Sequence, residues 1–153
     1  MEEIAKQIED VCLRLLTQRE HSQKELLEKL ALRDFAKQDA LPVIESLADR
    51  GWQSDTRYAE SYARSRIMKG YGPVRVIYEL KQNGVEATKL DEIVQAVVGS
   101  WMDSLEQVYI KKYPQDKLLS RSEWAKRSRF LLQRGFSFDM INALFDHLQI
   151  KFL

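Results

Sequence analysis

Apolar residues recur at intervals of three and four along almost the whole chain, a spacing that an α-helix turns into one buried face. Ile4, Ile8, Val11, Cys12, Leu15 and Leu16 make the first such stripe. His21 and Ser22 interrupt it. Ser22 and Glu25 form an S-x-x-E capping box for a second helix carrying Leu26, Leu27 and Leu30. A third stripe, Leu41, Ile44, Leu47 and Ala48, stops at Gly51, the residue type best suited to a left-handed helix end. The middle of the chain repeats the plan. Tyr58, Ala59, Tyr62 and Ala63 mark a helix capped by Ser54 or Asp55 and ending near Gly70. Pro73 opens the next, with Val76, Ile77 and Leu80 as its stripe and Gly84 as its stop. Thr88 is expected to cap a helix through Leu90, Ile93, Val94, Val97 and Val98 up to Gly99. In the last third, Leu105, Val108 and Tyr109 lie on a helix that Pro114 terminates. Ser120 and Glu123 predict a capping box before Trp124, Leu131 and Leu132. Phe136 and Ile141 staple an N-cap at Ser137, and the closing helix carries Leu144, Phe145 and Leu148.

The plan recurs in register. A shift of about fifty residues carries Leu26 to Val76, Leu30 to Leu80, Phe35 to Val85 and Ile44 to Val94. A further shift of about fifty carries Leu80 to Leu131, Gly84 to Gly135, Val85 to Phe136 and Leu90 to Ile141. The reading is all-α: three tandem three-helix repeats at 1–52, 53–100 and 101–153, forming an elongated, curved molecule. Each repeat is too small for a large core of its own and leans on its neighbours. Only 6 Gly and 3 Pro in 153 residues argue against a sandwich or barrel, which needs a turn about every 8–12 residues.

Chemistry is sparse. The two histidines, His21 and His147, are far apart, and no metal-ligand, nucleophile-elbow or P-loop motif occurs. The single cysteine, Cys12, lies on an apolar stripe and reads as a buried structural thiol in a reducing compartment. His147 reads as an edge or surface residue. Lys69-Gly-Tyr-Gly-Pro73 is a tight turn between helices and lacks the ending of a phosphate loop. The longest uncharged stretch, Ile93 to Met102, falls far short of the roughly 20 residues a bilayer requires. No enzyme, cofactor, metal or membrane span is expected.

Charge is informative because it is uneven. Net charge is +1, yet residues 1–52 carry 8 basic and 11 acidic side chains, whereas 101–153 carry 9 and 6. Arg57, Arg64, Arg66, Lys69 and Arg75 gather in the middle repeat; Lys111, Lys112, Lys126, Arg127, Arg129 and Arg134 gather in the last. Basic faces of this kind suit a polyanionic or nucleoprotein partner. The aromatic residues interleaved with them are Tyr71, Tyr109, Tyr113 and Trp124, the last read as core.

Four segments carry a resemblance. R-S-R-I-M-K-G-Y-G-P-V-R-V-I-Y-E-L-K-Q-N-G-V (Arg64 to Val85) resembles the signature of the bacterial RecX regulatory proteins. L-T-Q-R-E-H-S-Q-K-E-L-L-E-K-L from Leu16, R-G-W-Q-S-D-T-R-Y-A from Arg50 and R-F-L-L-Q-R-G-F from Arg129 are similar to further family segments. The resemblance implies tandem three-helix repeats and a cytoplasmic, monomeric, non-enzymatic regulator of DNA repair and the SOS response. Its implied partner is the RecA–DNA filament, whose recombinase, ATPase and co-protease activities such proteins usually inhibit. Contact with single- or double-stranded DNA is implied as well. A stand-alone nucleic-acid-binding helical module and a peptide-binding helical scaffold are the alternatives that the residues alone leave open.

Overall fold

In the computed structural model, which describes residues 2–153, nine helices lie among the described residues. They are α1 (Glu2–Gln18), α2 (Gln23–Leu32), α3 (Lys37–Asp49), α4 (Asp55–Met68), α5 (Pro73–Gln82), α6 (Leu90–Val98), α7 (Trp101–Lys112), α8 (Arg121–Gln133) and α9 (Phe138–His147). The expected all-α repeat architecture is present. One feature was absent from the sequence reading: two-residue strands β1 (Leu118–Leu119) and β2 (Lys151–Phe152) pair in parallel. Strands this short leave no periodicity to detect.

The repeat is written into the backbone hydrogen bonds. After the second helix of each repeat, one N–H reaches back five residues: Phe35 to Leu30 O at 3.1 Å, Val85 to Leu80 O at 3.0 Å, and Phe136 to Leu131 O at 3.2 Å. This is the long bond of a Schellman motif, and it needs a left-handed residue just before the donor. Gly84 (φ 81°) and Gly135 (φ 102°) supply it twice, and Asp34 (φ 67°) supplies it in the first repeat. The donors and acceptors are the residues that the shifts of about fifty superimpose.

The contacts divide the chain into two compact units, each taken by itself here. The first runs to Tyr62 and includes Leu80–Thr88; the second is Ala63–Glu79 with Lys89–Leu153. In the first unit, Ile8 and Cys12 of α1, Leu26 and Leu30 of α2, and Ile44 and Leu47 of α3 are fully buried in one cluster. Burial pushes the Cys12 thiol up to about 11, with the Glu9 carboxylate adding to the effect, so it behaves as a packed apolar group. In the second unit, Leu105 and Tyr109, Leu131, and Phe136, Ile141 and Phe145 form the corresponding cluster.

Local details depart from expectation at three places. Thr88 is not a cap: α6 starts at Leu90, after Lys89 in a left-handed conformation (φ 57°), and no side chain caps it. A capping side chain must sit directly before the first helical residue, and Thr88 is one position too early. Ile77 is 47% exposed, because α5 turns only Val76 and Leu80 fully inward. Ser120 does accept from the Glu123 amide, but the Glu123 carboxylate is bonded to the Arg127 Nε at 3.0 Å and completes no box. The box at Ser22 and Glu25 is complete, and Ser54, not Asp55, accepts the Arg57 amide at the head of α4.

His21 is fully buried in the first unit. Its Nδ1 lies 3.0 Å from the Arg19 carbonyl, which can only accept, so Nδ1 carries the proton. Nε2 is then free to accept from the Lys29 ammonium at 2.9 Å. Burial, together with the positive charges of Arg19 and Lys29, holds the His21 pKa below its ordinary 6.5, against the opposing effects of the Arg19 carbonyl and Glu25. The unfolded chain therefore takes up this proton first. The stability that His21 contributes is complete above about pH 6.5 and is lost as pH falls from there through the native pKa. Denaturant midpoints measured from pH 7.5 to 5 should fall, and His21→Gln should flatten that slope. An equal slope in the variant would remove His21 as its source.

Candidate partner-binding surface

The basic residues of the middle and last repeats fall into two sets, those the fold employs and those it leaves in solvent. Arg57 belongs to the first set. Its Nε donates to Glu20 at 2.8 Å and its Nη2 to the Gly51 carbonyl at 2.9 Å, so it fastens the turn after α3 to the segment before α2. The same two segments meet again at buried Gln53, whose Nε2 donates to the His21 carbonyl at 3.2 Å and to Asp55 at 2.8 Å.

In the second unit, Tyr71 organises three arginines. The Arg66, Arg75 and Arg134 guanidinium carbons lie 3.8, 4.5 and 4.8 Å from its ring centroid. Glu79 carries part of this charge, taking Arg66 through two bonds (2.8 and 3.0 Å) and Arg75 at 3.0 Å. Arg75 also donates to the Gln133 carbonyl at 3.0 Å, and Arg134 to the Lys69 carbonyl at 3.1 Å.

Beneath these side chains, two turns lock backbone to backbone. The Gly72 amide donates to Arg134 O at 2.8 Å and the Val74 amide to Gly135 O at 3.0 Å. Neither glycine can be replaced without moving the chain. A Cβ on Gly72 would stand 2.5 Å from the Gly135 oxygen, and one on Gly135 would collide with the Cβ and backbone of Arg75.

Arg127 corrects the sequence reading. It was expected at the surface but is 3% exposed, donating to the Tyr109 hydroxyl at 2.7 Å, to Glu123 at 3.0 Å and to the Pro114 carbonyl at 3.2 Å. Burial opposes its charge, but the bonds to Tyr109 and Glu123 outweigh that and hold its pKa above the ordinary value. It is a structural cation.

The second set is exposed: Arg64, Lys69, Lys111, Lys112, Lys126 and Arg129. None of these six pairs with a carboxylate among the described residues. Lys126 and Arg129 stand three apart on α8 and share a face. Sequence reasoning passed over Glu79, although its position four residues after Arg75 signals a helical ion pair. Tyr71 entered that reading only as an interleaved aromatic, because its hub role depends on Arg134, distant in the chain. Tyr109, Tyr113, Phe130, Trp124 and Phe145 meet one another tilted or edge-to-face. Among the described residues, no group of three or more His, Cys, Asp or Glu can hold a metal, and no helix is long and apolar enough to cross a membrane.

Comparison with known proteins places this geometry. Models of the first, second and third three-helix domains of RecX match residues 10–47, 54–92 and 102–145. The regulatory protein RecX of Legionella pneumophila is 35% identical over 144 residues, 94% of this chain and 96% of that protein. That of Halorhodospira halophila is 36% identical over 136 residues, 89% and 84% of the two chains. The crystal structure of RecX from Lactobacillus salivarius superposes with a TM-score of 0.75 over 97% of this chain and 98% of that one, at 23% identity, and so shares the fold.

Two substitutions separate structural from exposed cations. Arg127→Glu should cost about 3–5 kcal/mol, because it buries a carboxylate beside Glu123 and Asp116 and removes the donor to the Tyr109 hydroxyl. Arg129→Glu, two residues on, should stay within about 0.5 kcal/mol of the parent. Urea midpoints measure both, and equal midpoints would contradict the burial of Arg127.

Proposed function

Because the chain belongs to the RecX family of regulatory proteins, we propose that it binds the RecA–DNA nucleoprotein filament and restrains its recombinase, ATPase and co-protease activities. The reading takes the three modules as 1–52, 53–100 and 101–153. It assigns the contact to the second and third of them and places the protein as a monomer in the cytoplasm. The observation that carries it is the set of six exposed cations without carboxylate partners. Cations already paired within the fold have spent their attraction, whereas these retain theirs for an acidic or phosphate-bearing surface. Arg66, Arg75, Arg127 and Arg134 serve this contact indirectly, by bracing the second unit's turns and helices that carry the exposed set, and Arg57, exposed on the first unit, is a further contact residue. Single- or double-stranded DNA within the filament is a further source of phosphate contacts. As a free single-strand binder the protein would need open aromatic platforms, and Tyr109, Tyr113, Trp124, Phe130 and Phe145 are engaged tilted or edge-on with one another.

The test is RecA-catalysed ATP hydrolysis on single-stranded DNA with the protein added at rising sub-stoichiometric ratios. Hydrolysis should fall well before the DNA could be coated. Arg64→Glu combined with Lys126→Glu and Arg129→Glu should weaken the effect by about tenfold or more, some 1.4 kcal/mol, while circular dichroism stays that of the parent. Unchanged hydrolysis with the parent protein would overturn the proposal. Full inhibition by the folded triple variant would show those three cations to be a solvated face.

A further inference from the structure

The second unit contains a cavity of about 280 Å³ that none of the preceding assignments uses. Its lining joins apolar side chains, Ile67 and Met68 at the end of α4, Val98 at the end of α6, Val108 of α7 and Phe130 of α8, to the polar Ser104 and Gln107 of α7. Around it stand four cations, Lys69, Lys111, Lys112 and Arg134, and no carboxylate is among the lining residues. None of the four is engaged by a carboxylate elsewhere among the described residues.

We propose that this cavity is a docking site for an acidic peptide segment carrying one large apolar side chain. That side chain fills the cavity, and its acidic neighbours meet the lysines at the rim. Size, charge and wall chemistry each bear on the occupant. The volume lies just below the range of ordinary ligand pockets, about 300–1,000 Å³, and suits a single anchoring side chain. Three exposed lysines beside a partly apolar recess, Lys69, Lys111 and Lys112, are complementary to carboxylates that flank such an anchor, and the apolar part of the lining strengthens their attraction. Met68, 69% exposed at the edge, brings a flexible thioether that adapts to the shape of an inserted side chain.

A nucleic acid fits less well. A stacked base needs an open aromatic face, and Phe130 already has Lys112 at 5.2 Å and Arg134 at 5.5 Å over its ring, with Tyr113 edge-on at 5.7 Å, so the recess offers an inserted side chain the aliphatic groups of Ile67, Met68, Val98 and Val108 instead. The site is also rigid on one side. Arg134 donates to the Lys69 carbonyl, and Gly70 sits so close to Val108 that a Cβ there would approach its methyl to 2.9 Å. A preformed pocket spends little of its binding energy on ordering. The inference names the chemistry of the bound segment and rests on the filament reading only for which protein would carry it.

The experiment uses the full chain and a fluorescein-labelled synthetic peptide in which one Phe sits among Asp and Glu residues. Fluorescence anisotropy should show saturable binding. Replacing that Phe by Ser, replacing the acids by Asn and Gln, or introducing Lys111→Glu with Lys112→Glu should each weaken it by about tenfold or more. Methyl NMR of the parent should show the peptide shifting Met68, Val98 and Val108 first. Absence of binding, affinity indifferent to the Phe or to the lysine reversal, or methyl shifts confined elsewhere would each overturn the proposal. So would an oligothymidylate that displaces the peptide from these methyls, since the site would then be a nucleic-acid one. Peptide binding that behaves as expected in a protein without effect on RecA would leave the cavity assigned and remove the filament reading.

Discussion

The second unit depends on a contact that side chains do not make. The turn between α4 and α5 and the turn between α8 and α9 approach until the amides of Gly72 and Val74 donate into the carbonyls of Arg134 and Gly135. Such an approach is possible only where no Cβ intervenes, and both turns carry glycine at the point of closest contact. Once the backbones are joined, the arginines beside each glycine are brought to a common place. Arg66 and Arg75 from one side and Arg134 from the other converge on Tyr71. Glu79 takes up part of the repulsion that follows. The order of causes runs from glycine to backbone pairing to a crowded set of cations.

A parallel arrangement governs the first unit by different means. Here the segment before α2 and the segment before α4 are joined through buried polar side chains. Gln53 donates to the His21 carbonyl, and the Gln23 amide donates to Asp55 at 3.0 Å. Four sequence segments resemble the RecX family, and they meet in two pairs, Leu16–Leu30 with Arg50–Ala59 and Arg64–Val85 with Arg129–Phe136. The residues that make the family recognisable are therefore in large part those that join one turn to another. A buried amide network is exacting, because each group left unpaired costs about 1–3 kcal/mol.

This also decides what could be read from the chain. Helices were legible because their stripes are local, as with Ile8, Cys12 and Leu15, and their stops were legible because left-handed ends favour glycine, as at Gly84 and Gly135. The repeat could be read because Leu30, Leu80 and Leu131 occupy one place in one motif and accept one bond. Thr88 misled because Lys89 takes up a left-handed turn that a polar sequence does not announce. At the candidate surface, composition identified the cations but not their employment. Arg127 and Arg129 look alike in sequence, and only the fold reveals that one points at Tyr109 and the other at solvent. Whether a cation is spent or available depends on partners tens of residues away, such as Gln133 for Arg75.

That division between spent and available charge shapes how such a protein can regulate by contact. Arginine is suited to the spent role, because its planar fork bonds two acceptors and stacks on a ring at the same time, as Arg66 does with Glu79 and Tyr71. The exposed set includes four lysines, whose compact charges on flexible stems stay hydrated and meet a partner without a fixed geometry. A surface of that kind attracts an acidic or phosphate-bearing partner from a distance, and its strength declines as salt screens it. Selectivity has to come from somewhere shaped. In the second unit the shaped element is the partly apolar cavity ringed by Lys69, Lys111, Lys112 and Arg134, one wall of which is held by the glycine-locked turn. The backbone contact that joins the two turns of this unit thus also holds one side of a recess where charge and apolar surface coincide.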